Sequence, residues 1–169
     1  MTVLIQTSPK MMATCRRCAN EVVKNLPKRP NYTGDTGTSA FDRYFPGYVG
    51  EFAVRRWFDL NEIEYKHHVN TGGRSQGSEF TVGQDSLEVK TSSKLFHAKL
   101  MIPVKQRTDY DLVVAARMNS LEEVELMGWI KRNQVNTMDI REYKVATRVM
   151  DYDAPGLRNM ENLLLKLRQ

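Results

Sequence analysis

Residues 79–92 read EFTVGQDSLEVKTS, and their alternation decides the fold. Phe80 and Val82, then Leu87 and Val89, recur at every second residue, so two strands with one apolar face each are joined across the turn signal GQD. Glu88 and Lys90 leave the second strand together on its other face. If the apolar residues share a face, the period of two pairs Phe80 with Val89 and Val82 with Leu87 around a two-residue loop, Gln84-Asp85. In that register Thr81 faces Glu88, Glu79 faces Lys90, and Glu79 and Glu88 are diagonal neighbours about 7–8 Å apart at the backbone. Two carboxylates so placed can converge on one divalent cation, since Mg²⁺ takes oxygen ligands at about 2.0–2.1 Å. The lysine beside them offers a positive charge to a bound water or a phosphate oxygen.

Working outward, the chain supplies layers for this hairpin. Ser8 and Pro9 read as the cap and first residue of a helix in which Met12, Cys15, Ala19, Val22, Val23 and Leu26 recur at helical spacing up to Pro27. Residues 27–46 are rich in Pro, Gly, Thr and aromatics and read as a long loop, broken by a short helix at 41–44. GYVGEFAVRRWFDL, 47–60, is a second helix. Val49, Phe52, Ala53, Trp57 and Leu60 line one side of it, Val54 and Phe58 a second, and Glu51 lies on the second side.

IEYKHHV (63–69) has strand alternation and leads into a glycine-rich turn, NTGGRSQGS (70–78). YDLVVAA (110–116) is almost continuously apolar, as in a strand buried on both faces. ELMGWI and REYKVATRV read as further strands, RNQVNT as a short helix, and RNMENLLLKLR as an amphipathic closing helix. The expected class is α/β with a central mixed sheet flanked by helices. Residues 1–46 form a helix-and-loop extension, and 47–169 the core with its C-terminal helix.

With 169 residues the chain fits one domain, and its 41% hydrophobic and 27% charged residues describe a soluble globular protein. No run approaches the ~20 apolar residues of a membrane helix, so no membrane association is expected. The start MTVLIQTSPK lacks a secretory pattern, and two cysteines with nine methionines suit a reducing cytoplasm. The net charge of +5 makes nucleic acid a plausible partner, and its distribution sharpens the point. No acid occurs in 65–78 or in 90–108, whereas Glu79, Asp85 and Glu88 lie between these basic segments. An acidic centre with basic flanks suits a metal-dependent enzyme acting on phosphodiesters.

SEFTVGQDSLEVKTSS resembles the core motif of the PD-(D/E)xK nuclease superfamily, an acid opening one strand and acid-x-lysine on the next. The resemblance implies a restriction-endonuclease-like core, Mg²⁺ (with Mn²⁺ as a substitute) held by Glu79, Glu88 and the Val89 carbonyl, and Lys90 positioning or activating the attacking water. Many members carry a glutamate on the helix before the sheet, which here is Glu51. The order GYVGE, NTGGR, acid and EVK is also similar to archaeal Holliday-junction resolvases, in which a hydroxyl residue before paired glycines assists; that residue here is Thr71. Where the family usually has Asp, often after Pro, this chain has Ser78-Glu79, and Asp85 is the alternative first acid. The resemblance spans roughly residues 47–93.

Plainer readings stand beside these. E-x-K on an alternating strand is commonly a solvated face with a cross-strand ion pair. Glu51 can simply favour the first turn of its helix and pair with Arg55 at i+4. Cys15 and Cys18 make half a zinc motif with no second half, so core thiols are expected. His67 and His68 point to opposite faces and cannot share a metal.

The function expected from the resemblance is Mg²⁺-dependent endonucleolytic cleavage of double-stranded DNA, sequence-specific in the manner of restriction or homing enzymes. Its alternatives are a structure-specific junction resolvase and a catalytically inactive DNA-binding relative. Lys66, Thr71, Arg74, Lys94, Lys99, Lys105, Gln106 and Arg107 are the expected DNA contacts. A homodimer or higher homo-oligomer is expected by analogy with enzymes that cut two strands.

Overall fold

The computed structural model describes residues 2–26, 39–72, 77–93, 98–105, 109–143, 145–154 and 156–169. In chain order they form β1 (Val3–Gln6), α1 (Pro9–Asn25), α2 (Ala40–Leu60), β2 (Lys66–His67), β3 (Phe80–Val82), β4 (Asp85–Ser92), β5 (Lys99–Pro103), β6 (Leu112–Met118), β7 (Glu123–Lys131), α3 (Arg132–Val135), β8 (Asp139–Glu142), β9 (Ala146–Asp151) and α4 (Met160–Leu167). Six strands make a mixed sheet in the order β1-β7-β6-β4-β3-β2, and three make an antiparallel sheet in the order β5-β9-β8. The architecture is mixed α/β, a mixed sheet flanked by helices.

Alternation along β4 and β6 creates two cores. Leu87 and Val89 share one with Leu112, Val114 and the buried faces of α1 and α2, including Cys15, Ala19, Val49, Ala53 and Phe58. Val113 and Ala115, which stand opposite Glu88 and Lys90 in the parallel β4–β6 ladder, share the other with Leu100, Ile102, Tyr110 and Ile130. β6 is thus covered on both faces, which is why its sequence lacks alternation. Glu88 points toward the second core.

The helices follow their local signals. Ser8 caps α1 by accepting from the Met11 N–H at 3.2 Å, with Pro9 in the first turn. Cys15 and Cys18 are buried and free, and burial pushes the Cys15 thiol up to about 12. α2 is one helix of 21 residues, not a short helix followed by a second. It starts early because Ser39 and Asp42 form a reciprocal capping box, and it continues through Pro46 because Phe45, Pro46, Tyr48 and Val49 are all buried. Their burial offsets the one hydrogen bond that Pro46 cannot make. α2 crosses β4 in close contact at Gly50: a Cβ there would lie 1.8 Å from Thr91 Oγ1. Only a glycine lets the helix bring the next residue, Glu51, beside the strand.

The hairpin is real, but its register differs from the expected one by two residues. Phe80 pairs with Leu87, Thr81 with Ser86 and Val82 with Asp85, so the turn is Gly83-Gln84 and not Gln84-Asp85. Gly83 has φ +58°, the conformation needed at the first central position of a type II′ turn. A shift of two leaves each side chain on its expected face, so hydrophobic period alone cannot distinguish the two registers. Extending the observed register sets Glu79 directly across from Glu88.

Further elements depart from expectation. β1 and β5 were not anticipated, and REYKVATRV divides into β8 and β9, a hairpin with Tyr143 and Val145 exposed at its tip. IEYKHHV contributes a two-residue strand, with Lys66 opposite Thr81 and His67 opposite Phe80. At the chain's end Asn159 caps α4, whose Met160 and Leu163 enter the first core while Lys166 pairs with Asp85. Among the described residues no helix is long and apolar enough to cross a membrane.

Candidate carboxylate site at the β3–β4 fork

β3 and β4 separate beyond Phe80 and Leu87, and β4 runs on to Ser92. At this fork the Val89 N–H has no β3 residue to meet, and the Glu79 carboxylate takes the place of the missing strand, Oε2 accepting from Val89 N at 2.9 Å. The Val89 carbonyl leaves the strand on the same side as its N–H, toward Glu79. Glu88, with 1% of its surface exposed, receives Lys90 Nζ in a salt bridge. Glu79, Glu88, Val89 and Lys90 therefore meet at one place.

The electrostatics are those of too many acids for the cations available. Burial, then the neighbouring charge of Glu88 and a hydrogen bond with it, raise the Glu79 carboxyl well above the usual carboxylate range. Two carboxylates this close repel, and a proton or a cation between them relieves the repulsion. Glu51 reaches the same region from α2. Its carboxyl is raised by burial and by the Glu88 charge, against the opposing effects of His67 and Lys90. Its contact is His67 Nε2 at 3.5 Å, whereas Arg55 donates instead to the Tyr65 hydroxyl at 3.2 Å.

Two side chains not expected at the site are tied to it, His67 and Tyr110. His67 is held flat on Phe80 with centroids 4.4 Å apart and edge-on to Phe52, which aims Nε2 at Glu51. Its place on the apolar face of IEYKHHV was the available signal. His68 lies on the opposite face, Nε2 2.9 Å from Thr81 Oγ1. Tyr110 stands over the Glu88 face, and burial followed by the Glu88 charge raises its phenol to about 12. Arg148 comes from β9 opposite Ile102, close enough for its charge to pull that phenol the other way.

The expected DNA contacts fall in several places. Lys66 is exposed on the polar face opposite Thr81. The Thr71 carbonyl accepts from Asn25 Nδ2 at 3.0 Å, and the preceding Asn70 carbonyl from the Tyr48 hydroxyl, so this turn is tied to α1 and to α2 three residues before Glu51. Lys99 is ion-paired with Asp151 at 2.7 Å on the second sheet, and Lys105 is exposed just beyond β5. Arg74, Lys94, Gln106 and Arg107 lie outside the described residues. Asp85, the alternative first acid, points to the helix side of β4 and pairs with Lys166, away from Glu88.

Among the described residues no group of three or more His, Cys, Asp and Glu side chains comes together as a metal cage. What the fork offers is a pair of carboxylates and a main-chain carbonyl, all hard oxygen donors. That set suits Mg²⁺ or Mn²⁺ completed by water or substrate better than a softer metal held by protein alone. The close, under-neutralised carboxylates are the observation that fits a cation. No known family model, curated protein or solved structure matches this chain.

Proposed function

We propose that this protein is a Mg²⁺-dependent deoxyribonuclease with a restriction-endonuclease-like core, cutting double-stranded DNA endonucleolytically and in a sequence-specific manner. The observation that carries the reading is the meeting of Glu79, Glu88 and Lys90 at the β3–β4 fork with Glu51 beside them. A bound Mg²⁺ or Mn²⁺ supplies a Lewis acid for the phosphate and lowers the pKa of a coordinated water. Glu79, Glu88 and the Val89 carbonyl hold the ion. Lys90, partly exposed and already beside Glu88, turns to the attacking water or to the charge developing on the phosphate. Glu51, steadied by His67, accepts a hydrogen bond from a second water at the margin. Lys66 and Lys105 meet the backbone of the duplex, and cutting of both strands calls for a homodimer or larger assembly.

A second reading, a Holliday-junction resolvase, is favoured by the Asn70–Thr71 turn. Its ties to Asn25 and Tyr48 bring Thr71 near the α2 segment that carries Glu51. One experiment tests both: incubation with Mg²⁺ and plasmid, linear duplex or four-way junction, with Glu88→Gln as control. Cutting of duplex at defined sites supports the first reading, and selective cutting of the junction supports the second. DNA binding with no cutting of any substrate would make the protein an inactive relative and refute both.

A further inference from the structure

Tyr110 is 2% exposed, and its hydroxyl oxygen is fully enclosed with no hydrogen-bond partner among the described residues. A buried hydroxyl in that condition is destabilising, and native interiors rarely tolerate it without a reason. Only two other side-chain atoms share the condition among the described residues, His67 Nδ1 and Thr91 Oγ1. His67 lies in β2, Thr91 in β4 and Tyr110 two residues before β6, all strands of the sheet that carries the fork.

The position of Tyr110 is fixed from both sides. The segment 109–111 is clasped to Ser86: Ser86 N–H and Oγ–H donate to Asp111 Oδ2 at 2.9 and 2.7 Å, and Asp111 N–H donates to the Ser86 carbonyl at 2.9 Å. Ser86 lies on the same face of β4 as Glu88, two residues away. The ring packs in the second core with Val113, which stands opposite Glu88 in the ladder, and with Leu100 and Ile102. Ring and backbone are therefore immobilised above the polar face of β4, with Glu88 and Glu79 as the nearby acids and Arg148 and Arg132 as the nearby bases. The packing specifies this phenol tightly, yet no protein atom among the described residues uses its donor.

We infer that the Tyr110 hydroxyl is a binding group of the carboxylate site, donating a hydrogen bond to an oxygen of the ligand that Glu79 and Glu88 hold. The inference rests on the metal-dependent reading above. The ligand oxygen belongs either to a water carried by the cation or to a phosphodiester. A phosphodiester oxygen carries negative charge, and a cation-bound water accepts once it is ionised toward hydroxide, so either offsets the cost of a donor left without a partner among the described residues in the free protein. Tyr110 is a binding group here and takes no part in bond making.

The test is Tyr110→Phe, which keeps the ring and its packing. Three quantities are measured beside wild type and Glu88→Gln: the melting temperature without metal, Mn²⁺ affinity by calorimetry without DNA, and duplex affinity in Ca²⁺. Tyr110→Phe should melt at or above the wild-type temperature, because it removes a buried unpaired group. A hydrogen bond to a charged ligand corresponds to a loss of about tenfold or more in affinity. Loss in the Mn²⁺ arm identifies the partner as metal-bound water, and loss confined to the DNA arm identifies it as phosphate. Either supports the inference. Wild-type affinity in both arms for Tyr110→Phe, beside lost Mn²⁺ binding in Glu88→Gln, overturns it alone. Retained Mn²⁺ binding in Glu88→Gln overturns the site reading and this inference together.

Discussion

Glu79→Gln separates a carboxylate kept for a ligand from one kept for the fold. Glutamine retains an oxygen that can accept the Val89 N–H, now bonded to Glu79 Oε2 at 2.9 Å, while removing one of two neighbouring negative charges. Two unit charges about 4 Å apart repel by roughly 4 kcal/mol at an effective dielectric near 20, and Lys90 at similar range cancels much of this. A net gain of about 1–2 kcal/mol is expected for the metal-free protein at pH 8, or about 2–8 °C in melting temperature for a chain of this size. Glu79→Ala removes the acceptor as well, so a cost of about 1–3 kcal/mol for the stranded N–H offsets that gain.

The pH dependence carries a definite sign. Folding raises the Glu79 carboxyl above its ordinary 4.5, so the folded state binds the proton more tightly than the unfolded state. Below about pH 4.5 the group is protonated in both states and costs nothing. As pH rises from there, wild type loses stability that Glu79→Gln keeps. The advantage of the variant should thus be absent in acid and grow toward neutrality, and Mg²⁺ should stabilise wild type but not the variant. Melting curves from pH 4 to 8, with and without Mg²⁺, read all of this. A Glu79→Gln protein that melts below wild type at pH 8, or whose difference ignores pH, would refute the reasoning.

Lys90→Met should cut DNA at least about a hundredfold more slowly in single-turnover assays. It should also melt earlier near neutrality, since it leaves the enclosed Glu88 without its cation. Asp111→Ala should lose about 1 kcal/mol from the Ser86 clasp. Because hydrogen bonds from Ser86 hold the Asp111 carboxyl below 3.8, that stability is present above pH 3.8 and vanishes in stronger acid, which a pH series of melts checks. Gly50→Ala should cost about 1–3 kcal/mol by overpacking against Thr91 and slow cleavage by moving Glu51, with Thr91→Ala restoring part of the stability. An unaltered melt for Gly50→Ala would mean that helix and strand are less closely apposed.

The polar face of EVK was legible because alternation assigns faces without knowledge of any partner. The register was not, because Phe80 can meet Leu87 or Val89 without exposing an apolar residue, and the choice falls to the backbone of Gly83. The Ser39–Asp42 cap that begins α2 lies in a stretch, 27–46, whose composition reads as loop. β1 escaped notice because four residues, with Leu4 exposed, carry little pattern of their own and are recruited by β7. Tyr110 reaches the Glu88 face by a pairing distant in sequence, β4 with β6, and Arg148 comes near Tyr110 through another, β5 with β9. Nothing local marks Tyr110 as belonging beside Glu88.

The attachment of β1 to β7 has a kinetic consequence. Gln6 and Glu123, bonded at 3.1 Å, are separated by 117 positions, and β4 likewise waits for β6 across an intervening strand of the other sheet. Closing loops of this length delays the reward until most of the chain is in place, which places such a topology among slower folders. During synthesis at about 5–20 residues per second, Val3–Gln6 would remain for several seconds an extended segment with no strand to join. Until β7 is in place, both Val3–Gln6 and the β6 edge that β7 covers are open to other copies of the chain, so the yield of native protein should fall as protein concentration rises during refolding.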